Sequence, residues 1–197
     1  PVLGARYRLL PDFWLWVVGP GYEVSGWAAH RDLEHPGTLR ADGLPNLMTV
    51  WLPFTDATPL NSCIYALPTH HDPHLPDDVK ALTIPAGSER HVRALAAQAG
   101  SVLAWNQYLL HWGAETTRWA PAPRISFGMY YQRGDVAPYL PGGVVPAEGA
   151  PLPFAHRLGI IGRMLLKYSY RYHFTAELLR LCRRYVGLWQ RSLRASR

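Results

Sequence analysis

Arg124-Ile125-Ser126-Phe127-Gly128-Met129-Tyr130-Tyr131-Gln132 places Arg124, Ser126, Gly128 and Tyr130 on one face and Ile125, Phe127, Met129 and Tyr131 on the other. Side chains that alternate with a period of two define a β-strand. Working outward, further short runs of β-forming residues occur at 101–105, 62–67, 47–54 and 7–18, with a shorter one at 24–30 leading into His30-Arg31-Asp32. The run at 47–54 reads as a mostly buried strand closed by a proline. Residues 76–98 are mixed, and their pattern predicts a short helix near 88–97. The chain holds 17 Gly and 18 Pro, and turn signals recur about every ten residues. Short strands at that spacing predict a mainly β sandwich or barrel. The double-sheet jelly roll is the variant that carries metal sites in its interior.

The pattern changes after residue 133. Residues 134–153 contain five Pro and four Gly, and 134–154 read as a linker or wrapping loop. Beyond it the apolar residues recur at helical spacing. Leu158, Ile161, Leu165 and Tyr168 are expected to line one helix face, and Leu178, Cys182, Tyr185 and Trp189 a second. Thr175 is the expected N-cap of that second helix. The expected organisation is a jelly-roll core over 1–133, the linker, and a basic amphipathic helical extension over 155–197.

The chain has 197 residues and a formal charge of +6, unevenly spread. Residues 155–197 carry ten Lys/Arg against Glu177 alone, a net of +9, which leaves −3 on the rest. A mildly acidic body with a basic tail points to a surface for interaction rather than to the fold. Two readings of the tail follow. Either its arginines are a solvated face of helices packed outside the barrel, or they meet an anionic membrane or an acidic protein partner. No nucleic-acid module accompanies them, so nucleic acid is not an expected partner. Cys63 and Cys182 are too few for a disulfide framework and read as reduced, buried thiols of a cytoplasmic protein. No stretch of 18 apolar residues is present to span a membrane. The abrupt start at Pro1 suggests a missing or processed N-terminus.

Two His-x-Asp triplets occur, His30-Arg31-Asp32 and His70-His71-Asp72. Residues i and i+2 of a strand point the same way, so such a triplet offers an imidazole and a carboxylate to one ion. Two imidazoles and one carboxylate on one side of a metal suit Fe(II) and leave the opposite side open for a co-substrate and O₂. The first triplet follows a strand-like run, the second lies in a loop between Pro68 and Pro73, and context favours the first. His111, just after a strand and before Trp112-Gly113, is the expected third ligand. Arg124 follows it by 13 residues, with Ser126 on the same face. An inward arginine there can fork onto a carboxylate, with the serine hydroxyl adding a further hydrogen bond. His35, His74, His91, His156 and His173 read as ordinary surface or core residues.

These pieces resemble, in order, the phytanoyl-CoA dioxygenase-like branch of the Fe(II)/2-oxoglutarate oxygenases. Gly26-Trp27-Ala28-Ala29-His30-Arg31-Asp32 resembles its first ligand motif. Asn61-Ser62-Cys63-Ile64 with Leu67-Pro68-Thr69-His70 resembles its Asn-Gly-Cys-Leu and Pro-Gly-Ser-His stretch. Ala99-Gly100-Ser101-Val102-Leu103 with Leu110-His111-Trp112-Gly113 resembles its Gly-Asp-Val and His-Gly stretch, and Pro123-Arg124-Ile125-Ser126-Phe127 its Arg-x-Ser. The resemblance spans residues 10–133. It implies a cupin-like double-stranded β-helix and an Fe(II)-, 2-oxoglutarate- and O₂-dependent hydroxylase that releases succinate and CO₂. The expected substrate is a small-molecule or lipid-like compound, which the sequence does not name. It implies that His30, Asp32 and His111 bind iron and that Arg124 and Ser126 bind the far carboxylate of oxoglutarate, with Thr49 a candidate for its near end. Trp51 and Trp105 are candidate pocket residues or core. Asp32 argues against a halogenase. The chain departs from the family in lacking most of the helical segment before the first ligand. The alternatives are a non-catalytic jelly-roll binding protein that docks through its basic tail, and a metalloenzyme that uses no oxoglutarate.

Overall fold

A computed structural model describes residues 3, 7–21, 26–33, 36–75, 77–140, 145 and 152–195. Its strands are β1 (Tyr7–Val18), β2 (Trp27–His30), β3 (Leu47–Pro53), β4 (Ile64–Leu67), β5 (Arg93–Leu95), β6 (Leu103–Asn106), β7 (Leu110–Gly113) and β8 (Arg124–Arg133). Two helices follow, α1 (Phe154–Lys167) and α2 (Ala176–Ala195). The strands form two four-stranded antiparallel sheets, one ordered β1-β8-β3-β6 and the other β2-β7-β4-β5. Except at β4–β5, each strand lies in the sheet opposite its predecessor. That alternation is a double-stranded β-helix, the fold expected from the sequence.

Period two sets the inner face. Along β3, Leu47, Thr49, Trp51 and Pro53 are buried while the residues between them are half-buried. No residue of the strand is exposed, so it is mostly buried as its composition predicts, with one face buried more deeply than the other. Along β8 the same rule buries Arg124, Ser126, Gly128 and Gln132. Trp51, Ala57, Cys63, Ile64 and Trp105 pack into a core between the sheets.

Part of the helical prediction fails. The region near 88–97 is a single 3-10 turn, Glu89–His91, followed by β5. Local helical propensity there loses to pairing of Arg93, Ala94 and Leu95 with Ala66, Tyr65 and Ile64. The buried residues of α1 are Gly159, Ile160, Gly162 and Met164, whereas Ile161, expected to face inward, is 43% exposed. The reason is the close passage of α2. A Cβ on Gly162 would stand 3.0 Å from the Cys182 carbonyl oxygen, and one on Gly159 would run into Trp189. Periodicity counts large apolar side chains and overlooks contacts made by glycine. The α2 face was legible: Cys182 and Trp189 are its buried residues, and Thr175 Oγ1 caps it by accepting from the Leu178 N–H at 3.2 Å. Arg180, Arg183, Arg184 and Arg191 are exposed.

A bulge fastens α1 to the barrel. Pro11 has no N–H for the ladder, and β1 loses register against β8 between Leu9 and Phe13. Asp12, freed by that bulge and buried, accepts from Lys167 Nζ at 2.7 and 2.9 Å. The Phe13 N–H donates to Met164 Sδ at 3.3 Å. Of the expected linker, residues 141–144 and 146–151 lie outside the described residues; Val145 bridges Leu9.

Ser62 is the one described non-glycine residue in the left-handed region, at φ 70°. It stands where the related motif carries glycine, and its buried Oγ has no hydrogen-bond partner among the described residues. Both the backbone strain and the orphan hydroxyl cost stability. Ser62→Gly is expected to raise the unfolding free energy by about 1 kcal/mol, read from urea denaturation; a loss of stability would contradict this account.

Candidate metal centre

Strand pairing assembles the site. His30 on β2 lies directly across from His111 on β7, which in turn pairs with Ala66 on β4. His111 sits within β7 rather than after a strand. Its ring centroid is 4.4 Å from that of His30. His30 Nδ1 is 2.8 Å from the Ala28 carbonyl oxygen, and His111 Nδ1 is 3.0 Å from that of Leu109. A ring whose Nδ1–H donates to a carbonyl presents a bare Nε2 to a metal. Burial is the main reason the His111 imidazolium is disfavoured, so this ring is biased to the neutral form that ligation needs.

Asp32 completes the set through one oxygen. Its Oδ2 accepts from Thr49 Oγ1 at 2.5 Å and from Trp105 Nε1 at 2.8 Å. Its Oδ1 is left facing His30 Nε2 at 3.8 Å and His111 Nε2 at 3.6 Å. Ligand atoms of the three residues all lie within 4.8 Å of one another, and among the described residues no other His/Cys/Asp/Glu group meets that condition. The oxygen with two donors is fixed; the other is offered. Gln107 Nε2 donates in turn to Thr49 Oγ1 at 3.0 Å, so a buried relay stands behind the carboxylate. Thr49, expected at the near end of oxoglutarate, has its hydroxyl committed to Asp32.

Arg31, the middle residue of the triplet, points the other way, as alternation requires. Its guanidinium is fully buried and donates to Asp72 Oδ2 at 2.8 Å, to Val79 O at 3.0 Å, to Ala81 O and to Tyr108 O. The second triplet thus supports the first. Its His70 is exposed, and its Asp72 anchors the loop over the back of the site.

His30, Asp32, His111 and Arg124 line one cavity of about 330 Å³. Arg124 is 4% exposed, and its guanidinium lies 5.5 Å from the Trp51 ring centroid. It has no carboxylate partner among the described residues, and its Nε and the nearby Ser126 Oγ have no hydrogen-bond partner there. Burial pulls the Arg124 pKa down to about 10, so it remains a cation at neutral pH. A buried cation beside an idle hydroxyl is a costly arrangement unless an anion joins it. Both orphan groups and the donor set therefore fit a dicarboxylate held between iron and arginine.

Two imidazoles and one carboxylate on a barrel's inner face are the donor set of mononuclear non-haem Fe(II) oxygenases. The phytanoyl-CoA dioxygenase family model matches residues 11–119, and the chain belongs to that family of Fe(II)/2-oxoglutarate oxygenases. No curated protein sequence matches the chain. Solved structures share the fold. The non-haem monooxygenase ThoJ in its apo form aligns with TM-score 0.58 and 16% identity over 94% of this chain and 70% of its own. EctD from S. alaskensis, with 2-oxoglutarate and 5-hydroxyectoine, aligns with TM-score 0.50 and 19% identity over 76% and 55%. SnoN, an α-ketoglutarate-dependent epimerase from nogalamycin biosynthesis, gives 0.51 and 18% over 77% and 61%. The chain thus spans little more than half of the EctD length.

Hydrogen bonds behind a ligand set its orientation, and their loss typically weakens metal binding about 10–100-fold. Thr49→Val and Trp105→Phe are each expected to fall in that range in an anaerobic Fe(II) competition assay. Affinities equal to wild type would show that Asp32 needs no clamp.

Proposed function

We propose that this chain is the catalytic core of an Fe(II)/2-oxoglutarate-dependent dioxygenase that hydroxylates a C–H bond of a small molecule, with release of succinate and CO₂. The observation that carries the reading is the buried Arg124, without a carboxylate partner among the described residues, on the same cavity as the three candidate metal ligands. His30 and His111 would hold iron through Nε2, and Asp32 through Oδ1. Arg124 and Ser126 would bind the far carboxylate of oxoglutarate, which neutralises the one and satisfies the other. Iron with oxoglutarate and O₂ supplies the oxidising chemistry when bound. The chain's own work is positioning. Thr49 and Trp105 fix the carboxylate, backbone carbonyls fix both imidazole tautomers, and the barrel wall keeps water from the buried face. Hydroxylation is the simplest outcome for such a site, since it needs nothing beyond a C–H bond held near the open side of the metal.

The non-catalytic and oxoglutarate-free alternatives are separated by one experiment. Anaerobic addition of Fe(II) and 2-oxoglutarate is expected to give a visible charge-transfer band. Its absence in folded protein would overturn the proposal. Arg124→Met should weaken oxoglutarate binding at least about tenfold, the loss expected for charge-assisted hydrogen bonds. The same change removes an uncompensated buried charge, so the melting temperature of the apo protein should stay level or rise. Undiminished oxoglutarate affinity would show that Arg124 is not its anchor, and unchanged activity in the variant would favour a metalloenzyme that does not use oxoglutarate.

A further inference from the structure

Six of the eight Trp line the metal cavity: Trp14, Trp16, Trp27, Trp51, Trp105 and Trp112. Trp51 and Trp105 are accounted for by the core and by the clamp on Asp32. The other four lie on β1, β2 and β7 and have no part in the metal set. The wall is completed by the turn after α1, which contributes Tyr168 and Tyr170. Trp16 meets Trp27 at 4.2 Å and the edge of Tyr168 at 5.3 Å between ring centroids. Gly128 leaves room for the Trp14 indole, because a Cβ there would overlap it. The end of α1 and the turn after it, fastened through Asp12 and Lys167, are therefore part of the cavity wall.

The charges at this wall select among guests for an aromatic box. The Arg171 guanidinium lies 4.3 Å from the Trp27 ring centroid, and Lys167 Nζ lies 5.2 Å from that of Tyr168. Cations of the protein already occupy ring faces that a cationic guest would need. Asp32 is the one carboxylate among the described lining residues, and it belongs to the metal set. A positive guest would meet like charge with no counter-ion. A flat ring, by contrast, fits between aromatic walls face-on or edge-on. The cavity of about 330 Å³ is at the small end of ligand pockets and must also admit oxoglutarate, so the room left at the aromatic wall suits one or two fused rings rather than a long chain.

We infer that this cavity takes an uncharged or anionic substrate bearing a flat aromatic ring, and that Tyr168 and Tyr170 of the C-terminal segment help determine that specificity. This deepens the oxygenase reading by naming the substrate class of the same site.

The test is calorimetric titration of the full chain, without iron or oxoglutarate, with three probes. These are 2-naphthol, 1-octanol and 2-naphthyltrimethylammonium. Saturable 2-naphthol binding is expected, with the flexible alcohol and the cation each at least about tenfold weaker. Tyr170→Ala and Tyr168→Leu should each weaken 2-naphthol about three- to tenfold, the range one aromatic contact supplies. Tyr170 is 72% exposed, so its replacement should leave the melting temperature unchanged and its effect interpretable even where Tyr168→Leu loosens the fold. Equal binding of octanol or of the cation, no saturable naphthol binding, or unchanged affinity in Tyr170→Ala and Tyr168→Leu would overturn the inference. The probes need no metal. Naphthol binding without the charge-transfer band would leave this site standing and remove the oxygenase reading; the band without naphthol binding would do the reverse.

Discussion

The carboxylate of Asp32 is held through one oxygen by Thr49 and Trp105, and the rest of the site depends on that restraint. A free carboxylate rotates and presents either oxygen. Here two donors, one from β3 and one from β6, fix Oδ2 and turn Oδ1 toward both imidazoles. The clamp comes from one sheet and the histidines from the other. The relative placement of the three candidate ligands therefore depends on how the two sheets face each other. The same logic explains the buried polar groups nearby. Gln107 restrains Thr49, and Arg31, between His30 and Asp32, ties that triplet to Asp72, Val79 and Ala81.

A second constraint lies on the opposite side of β1. The bulge at Pro11-Asp12 interrupts the ladder and exposes hydrogen-bonding groups that α1 satisfies. One irregular strand thereby joins a helical segment to a barrel. Because α1 ends at the cavity, its attachment at the bulge also helps bring Tyr168 and Tyr170 to the cavity wall.

Much of this was legible from the sequence, and the limits follow physical lines. The strands around Leu47, Ile64 and Arg124 announce themselves through composition and period two. The triplet spacing of His30 and Asp32, with His111 downstream, is legible in the sequence, and the structure brings these three side chains within reach of one another; Arg124, thirteen residues after His111, lines the same cavity. Trp105 was read as pocket or core. Its role as a donor to Asp32 depends on β6 crossing beside β3, which no local pattern encodes. Thr49 lies on the inner face that the sequence indicates, and its hydroxyl donates to Asp32, a partner that the face of a strand does not reveal. The helix contacts at Gly159 and Gly162 escaped for a different reason. Absent side chains carry no hydrophobic signal, yet they let two backbones approach. Asp72 looked like a competing ligand, and only the fold shows that it is the counter-ion of Arg31.

The proposed site rests on one arrangement, the three candidate ligands gathered around the clamped Asp32. Anaerobic Fe(II) titration of wild-type and Asp32→Asn protein, read by calorimetry, tests it most directly. It predicts one equivalent of tightly bound iron in the wild type and loss of that equivalent in the variant, while His70→Ala binds as the wild type does. Undiminished binding in Asp32→Asn, or loss in His70→Ala, would contradict it.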